Sequence, residues 1–299
     1  MSKRFALIGP GRVGTAISRA LFESGYQPVA VIGRSLQSTR EACSFIGCDM
    51  SLATTDLRTA GSAELILLAV PDDRIAAVAL QLQSIANPEQ GTTVLIHFSG
   101  VHAASVMRQS KVGMLLFSVH PLLPFADRQQ AYERLGLAPY FGEGDLDAYP
   151  TAESLCNTLG GKLQPLCPEK KHLYHAAACL ASNYLVTLIA EAGSLLEECG
   201  IERVQGETAL LPLLEATLHN VASCGAKKGL TGPIVRGDIG TLTAHLQALE
   251  NSPTDLLELY RLLGCKTVLL AESSGRLSAS KAKKLRKILD KKNFTNKDT

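Results

Sequence analysis

Tryptophan is absent from this 299-residue chain, and aromatics make up only 5% of it. Base-stacking platforms of the kind that hold single-stranded nucleic acid are therefore not evident. Cysteine itself is not scarce, but paired spacings are. The eight cysteines (43, 48, 156, 167, 179, 199, 224, 265) form no C-x-x-C. Scattered thiols point to a reducing, cytoplasmic setting and argue against a disulfide framework. Long apolar runs are also lacking, and none reads as the roughly 18–20 residues of a membrane span. The start, MSKRFALIGPG, passes from two basic residues directly into a strand-like run and then glycines. A secretion signal would need a longer apolar region and a small-residue cleavage site.

Net charge is only +2, but the basic residues are unevenly placed. Residues 276–299 hold nine Lys/Arg against Asp290 and Asp298. Such a tail can contact nucleic acid or acidic lipid, and it equally suits a solvated last helix with a frayed end. The hydrophobic share of 46% and charged share of 19% are those of an ordinary chain with a real core.

Over the first 165 residues, strand-like and helix-like segments alternate. FALIG (5–9), PVAVIG (28–33), AELILLAV (63–70), TTVLIHF (92–98) and GMLLFSVHP (113–121) read as strands. Helical stretches follow to about 24, over 36–46, from Pro71 to about 86, and near 102–110. Short strands at 139–142 and 162–166 flank a helix at 150–159. Strands apolar on both faces and separated by helices predict a mostly parallel sheet covered on both sides. After Cys167 the pattern becomes wholly helical: one long helix over 169–199, then helices at about 206–224, 238–250, 253–272 and 278–290. The expected division is an α/β domain over 1–166 and an all-α domain over 167–299.

Gly9-Pro10-Gly11-Arg12-Val13-Gly14 matches G-x-G-x-x-G between a strand and a helix, the context that gives this motif meaning. The first glycine permits a tight turn, the second admits a pyrophosphate, and the third lets helix and strand pack closely. The helix N-terminus adds free N–H groups and a positive dipole end. An NAD-specific fold places an acid at the end of the second strand, about 20 residues past the glycines. Here that position reads Gly33-Arg34-Ser35. Arg34 can grip a 2′-phosphate and Ser35 can donate to it, so NADP(H) is expected. Val70-Pro71, Ser99-Gly100 and His120-Pro121 end other strands and should line the same crevice. His120 could donate a proton, polarise a carbonyl, or pack as a loop-capping histidine.

Plotted at 100° per residue, Leu173, Ala177, Leu180, Tyr184 and Leu188 share one face of the long helix. His172, His175, Cys179, Ser182 and Asn183 share the opposite arc, which suggests a ligand-facing stripe. A metal site at His172, His175 and Cys179 lacks a further clustered ligand and is not expected. In LTGPIVRGDIG (230–240), Gly232-Pro233 breaks the helical pattern and Asp238 sits where an N-cap belongs. Arg236 is either an anion ligand or part of a plain turn.

Together IGPGRVG, FSG, SVHPL, YHAAACLASNYL and LTGPIVRGD resemble the Rossmann-like proteins that carry a C-terminal domain of unknown function 2520. That family is similar in architecture to pyrroline-5-carboxylate reductase, 3-hydroxyisobutyrate dehydrogenase and 6-phosphogluconate dehydrogenase. The resemblance implies an N-terminal Rossmann domain and an all-α C-terminal domain of the 6-phosphogluconate-dehydrogenase type. It implies NADP(H)-dependent chemistry on a small polar substrate such as a keto acid, imine or semialdehyde, and a homodimer built through the helical domain. Hydroxyacid dehydrogenases of this kind carry a Lys four residues before an Asn on the long helix. With Asn183 as that Asn, the Lys position is Cys179, which cannot act as an ammonium acid. His175 or His120 then becomes the expected proton donor, with a pKa near neutrality. The competing reading is a non-catalytic NADP(H)-binding sensor or scaffold, supported by the missing Lys. No membrane or nucleic-acid partner is expected.

Overall fold

A computed structural model describes residues 3–85, 93–108 and 113–290. It divides into two compact units, Met1–Tyr184 and Leu185–Thr299. The ends of the expected strand at 92–98 and of the helices reaching 86 and 110, and the last part of the basic tail, lie outside the described residues.

The first unit is built on one sheet of eight strands. These are β1 (Arg4–Ile8), β2 (Gln27–Ile32), β3 (Ala53–Thr54), β4 (Leu65–Leu68), β5 (Thr93–His97), β6 (Met114–Pro121), β7 (Tyr140–Gly144) and β8 (Leu163–Pro165). Their spatial order is β3-β2-β1-β4-β5-β6-β7-β8. Every neighbouring pair runs parallel except β6 and β7, which are antiparallel. The order reverses between β1 and β4, the switch point at which such sheets open a crevice.

Side chains alternate across each strand, and both faces are covered. Phe5, Leu7, Leu65, Leu67, Ile96, Phe117 and Val119 belong to the core on one face. Ala6, Ile8, Ile66, Leu68, Leu95 and Leu116 belong to the core on the other. Helices α1 (Arg12–Glu23), α2 (Leu36–Ile46), α3 (Ile75–Ile85), α4 (Arg128–Arg134) and α5 (Tyr149–Thr158) connect or cover the strands. The helix expected near 102–110 is a single 3-10 turn, Ala104–Met107. Strand β3 and helix α4 carry too few residues to show a period in the sequence.

The single helix expected over 169–199 is two. Helix α6 (Lys171–Ala181) ends at Ser182, whose φ of −120° and ψ of −69° leave the helical path, and α7 (Asn183–Glu198) begins beside it. Helix α6 belongs to the first unit, so compact structure continues past the expected change at 166/167. The helical stretch Pro168–Glu198 is also long and apolar enough, by length and composition, to cross a membrane. Its Ala, Leu, Cys and Val raise the average although Ser182 interrupts it.

The second unit is helical. Helix α8 (Arg203–Gly229) is bent at Gly225, and it is followed by α9 (Pro233–Arg236), α10 (Ile239–Ala248), α11 (Thr254–Ser273) and α12 (Ala279–Leu289). Its core gathers Ile234, Leu242, Val268, Ala271, Leu277, Ala282, Leu285 and Leu289. An Arg286–Glu272 ion pair at 2.7 Å ties α12 to α11.

Candidate active site

Two constructions stand at the carboxyl ends of the strands of the first unit. The first is the loop Gly9–Gly14. Gly9 has φ +86°, in the left-handed region, and a Cβ there would lie 2.6 Å from the Ala69 carbonyl oxygen. A Cβ on Gly14 would lie 2.6 Å from Leu7 Cδ1 and 2.7 Å from Ala69 Cβ. Gly11 is the opposite case: nothing lies within 4 Å of the place its Cβ would occupy. It is the N-cap of α1, and no side chain caps that helix end. Uncapped helical N–H groups facing open space, with no side chain to block approach, are what an anionic ligand needs. Pro10 packs against Gly33 at the end of β2, 3.0 Å from a Cβ position there. Arg12 is exposed, Val13 is partly buried, and Arg34 and Ser35 are exposed on the turn leading into α2. Val70 is partly buried and Pro71 exposed at the end of β4. The residues present thus fit the pyrophosphate of a dinucleotide.

The second construction is a polar cluster on the face otherwise lined by Leu68, Leu95 and Leu116. Alternation carries that face from Leu95 to His97 on β5, and from Leu116 to Ser118 and His120 on β6. The register places Leu68, His97, Ser118 and Glu143 in one row across β4, β5, β6 and β7, with His120 and Phe141 paired in the next. Helix α6 lies over these rows. Lys171, Tyr174 and His175 share one of its faces by their i, i+3, i+4 spacing.

Lys171 is fully buried. Its Nζ donates to Ser118 Oγ at 2.5 Å and lies 3.8 Å from Glu143 Oε1. Glu143 Oε1 also accepts from the Ala104 N–H at 2.7 Å. One turn along α6, the Tyr174 hydroxyl is 2.8 Å from His120 Nδ1, with the two rings edge to face at 5.5 Å. The His120 and His175 rings are 6.1 Å apart. Both press on Gly100, where a Cβ would lie 2.6 Å from His175 Nδ1 and 2.9 Å from His120 Nε2. Ser99 accepts from the Val101 and His102 N–H groups through its hydroxyl, and its own N–H donates to His97 Nδ1 at 3.1 Å.

Burial governs the charge states. It pushes His120 down to about 4, and the Lys171 ammonium adds to the effect. It pushes His97 down to about 3 for the same two reasons. Lys171 itself is lowered to about 8 by burial, opposed by Glu143 and Asp72, while burial raises the Glu143 carboxyl. His120 is thus neutral at pH 7, which corrects the expectation of a pKa near neutrality: the imidazole is taken out of water beside a buried cation. A neutral imidazole can still donate a hydrogen bond that polarises a carbonyl or imine.

The structure therefore brings His120, His175, Ser99 and Gly100 together. Asn183 sits at the start of α7, past the Ser182 break, and is exposed. Cys179 is partly buried on α6. Arg236 belongs to the second unit, where it is exposed at the end of the one-turn helix α9. Its turn is fastened by Lys281, whose Nζ donates to the Arg236 carbonyl at 3.2 Å. Asp238 is the N-cap of α10, accepting from the Thr241 N–H at 3.0 Å. Lys171, Tyr174, Ser118, Glu143 and His97 went unrecognised in the sequence. The available signal was alternation: FSVHP places a Ser and a His two apart in a strand otherwise apolar on both faces.

Fold and site together define the class: a mostly parallel dinucleotide-type sheet of the Rossmann kind, followed by a helical region. The chain matches the Rossmann-like domain family over residues 3–121 and the domain of unknown function DUF2520 over residues 138–267. It is a Rossmann-like protein with a C-terminal DUF2520 domain. No curated protein sequence matches it. Among solved structures, it is similar to a candidate NADP oxidoreductase from Bacteroides fragilis, with TM-score 0.70 and 23% identity, covering 88% of this chain and 96% of that one. It is also similar to a pyrroline-5-carboxylate reductase from Coxiella burnetii, with TM-score 0.58 and 14% identity, covering 96% and 99%. A reductive aminase from Aspergillus terreus in complex with NADPH and ethyl-5-oxohexanoate has TM-score 0.55 and 16% identity, covering 97% and 93%. At these identities the likeness establishes the fold.

Proposed function

We propose that this chain is an NADP(H)-dependent oxidoreductase acting on a small polar substrate of the keto acid, imine or semialdehyde class. The observation that carries the reading is Gly11. It is a helix N-cap at the switch point of the sheet, with open space where every other side chain would stand. Arg34, exposed at the end of β2 where an acid would repel a 2′-phosphate, supports NADP(H) over NAD(H). Bound there, the dinucleotide would supply or accept the hydride. The protein's share is to hold the substrate beside it and to place a hydrogen-bond donor on the group that gains or loses charge.

His120 is the candidate donor. With Tyr174 donating its hydroxyl proton to Nδ1, the neutral ring carries its proton on Nε2, the nitrogen beside Gly100. His175 lies on the other side of the same glycine, and its Nδ1 is buried with no hydrogen-bond partner among the described residues. Asn183 and Arg236 are proposed as substrate-side polar contacts on the strength of the family motifs alone. The domain reading of 1–166 and 167–299 is likewise kept as a proposal about where function divides.

A homodimer is proposed from the exposed apolar residues of the helices. Leu173 is 72% exposed and Leu180 65% in the first unit; Val204 is 67% exposed and Leu213 64% in the second. Apolar exposure on this scale suits an interface with a second copy. Eight free cysteines are consistent with a reducing cytoplasm.

The test is a fluorescence titration with NADPH and NADH, followed by an NADPH-oxidation screen over keto acids, imines and semialdehydes. Expected are tighter binding of NADPH, loss of that preference in Arg34→Asp, and turnover of one substrate class. Preference for NADH, or indifference to Arg34→Asp, would overturn the cofactor assignment. Tight NADPH binding without turnover on the whole panel would turn the reading to a sensor.

A further inference from the structure

The row His97–Ser118–Glu143 would be an unremarkable polar edge were it not for what sits on it. A fully buried lysine is rare unless it is paired, and Lys171 is fully buried at the first turn of α6. Its Nζ reaches two strands at once, Ser118 on β6 and Glu143 on β7. Glu143 in turn holds the Ala104 N–H, at the start of the 3-10 turn that follows Gly100. One ammonium therefore anchors α6 to β6 and, through Glu143, to the segment beyond β5. Those are the three pieces of chain that carry His175 and Tyr174, His120, and Gly100.

We infer that Lys171 is a positioning residue for the His120–His175 pair, a buried ammonium that docks α6 on the sheet so that both imidazoles meet over Gly100. The geometry supports this directly. Lys171 lies three and four residues before Tyr174 and His175 on one helix face. Ser118 lies two residues before His120 on one strand face. A lysine at Nζ–Oγ contact with Ser118 thus sets the helix in register with the strand, and the Tyr174–His120 hydrogen bond at 2.8 Å follows one turn later.

The groups acting on this charge come from every packed element. They are Asp72 after β4, His97 on β5, Ser118 and His120 on β6, and Glu143 on β7, while Tyr174 and His175 on α6 act on His120. Glu169 and Asp145 act on Glu143, and His102 acts on His97. Lys171 touches no solvent, so it contacts no substrate and acts through the imidazoles. Its bearing on turnover rests on the oxidoreductase reading; its effect on the imidazoles does not.

The experiment is an NMR titration of the full chain labelled at histidine, read from the His120 ring signals, with exposed His219 as the internal control. In the wild-type protein the His120 signals should show an alkaline inflection as Lys171 loses its proton, with a midpoint near 8. That inflection should vanish in Lys171→Met, while protonation of His120 moves to higher pH as the neighbouring cation is lost. In Glu143→Gln the alkaline midpoint should move lower, because the ammonium loses its counter-charge. Absence of any alkaline inflection at His120 in the wild-type chain would overturn the inference, whether or not Lys171→Met folds. So would a folded Lys171→Met whose His120 midpoint is unchanged. A chain that binds NADPH without ever turning over a substrate would leave these titrations as they are, so the two proposals fail separately.

Discussion

The dinucleotide loop and the imidazole cluster stand at strand ends of one sheet and are made in opposite ways. The loop is shaped by side chains that are missing. Gly9, Gly11 and Gly14 bring backbone, open space and helix packing into six consecutive residues. The cluster is shaped by side chains that are present, drawn from β5, β6, β7 and α6 and held together by one buried ammonium. A site built from absence is local and tolerates little addition. A site built from convergence is non-local, and it fails when any one of its supports loses charge or length.

The largest effect should come from filling the loop. Gly14→Val should cost about 3 kcal/mol or more, because its Cβ alone already meets Leu7, Ala69 and the Gly9 carbonyl below 3.0 Å. For a unit of this size that is a fall in Tm of about 10 °C, read by thermal melting. If Gly14→Val melts like wild type, the close packing of helix and strand is not what this glycine serves.

Acid comes next, and between pH 6.5 and pH 5 its main target is the cluster. His97 and His120 have folded values of about 3 and about 4, below the ordinary imidazole value of 6.5. Between pH 6.5 and those values the unfolded chain binds more protons than the folded one, so stability falls as pH falls. Each imidazole should remove on the order of 2 kcal/mol between pH 6.5 and pH 5. Urea unfolding at the two pH values measures it, and His120→Gln should recover its own share. Equal stability at both would mean that these rings are solvated and charged.

Two smaller substitutions then set the regions against each other. Gly100→Ala pushes a methyl group to 2.6 Å from His175 Nδ1 and 2.9 Å from His120 Nε2. It should cost about 1–2 kcal/mol of stability and lower turnover more than about tenfold, with NADPH affinity changed less than in Gly11→Ala. Gly11→Ala meets nothing, so stability should stay within about 1 kcal/mol. NADPH affinity should nevertheless fall by about tenfold or more, since the methyl group stands where the pyrophosphate approaches. Calorimetry and fluorescence titration on both variants read the contrast. Opposite outcomes would exchange the roles assigned to the two glycines.

The loop was legible in the sequence because its chemistry is contiguous: strand, glycines and helix follow one another within a few residues. Asp238 was legible for the same reason, since an N-cap and the Thr241 N–H it accepts from are three residues apart. The cluster was legible only in part. His120 stands out at a strand end and His175 on a polar helix arc, but Lys171 looks like any charged residue near a helix start. Its partner Ser118 is 53 positions away, and no local period joins a lysine on a helix to a row of a sheet. The break at Ser182 left only a faint signal: Ser182 and Asn183 are N-cap residue types set inside an otherwise helical run. The Cys179 position, chosen by counting back from Asn183, directed attention away from the lysine that the fold does bury.

The break at Ser182 has a bearing on descent. It lets α6 stay with the sheet, so the glycine loop, both imidazoles and the ammonium that seats them all lie on one uninterrupted stretch ending at Tyr184. A genetic crossover just after that residue would transmit the whole set intact while exchanging everything beyond it. Of the proposed substrate contacts, Asn183 would travel with that set and Arg236 would not.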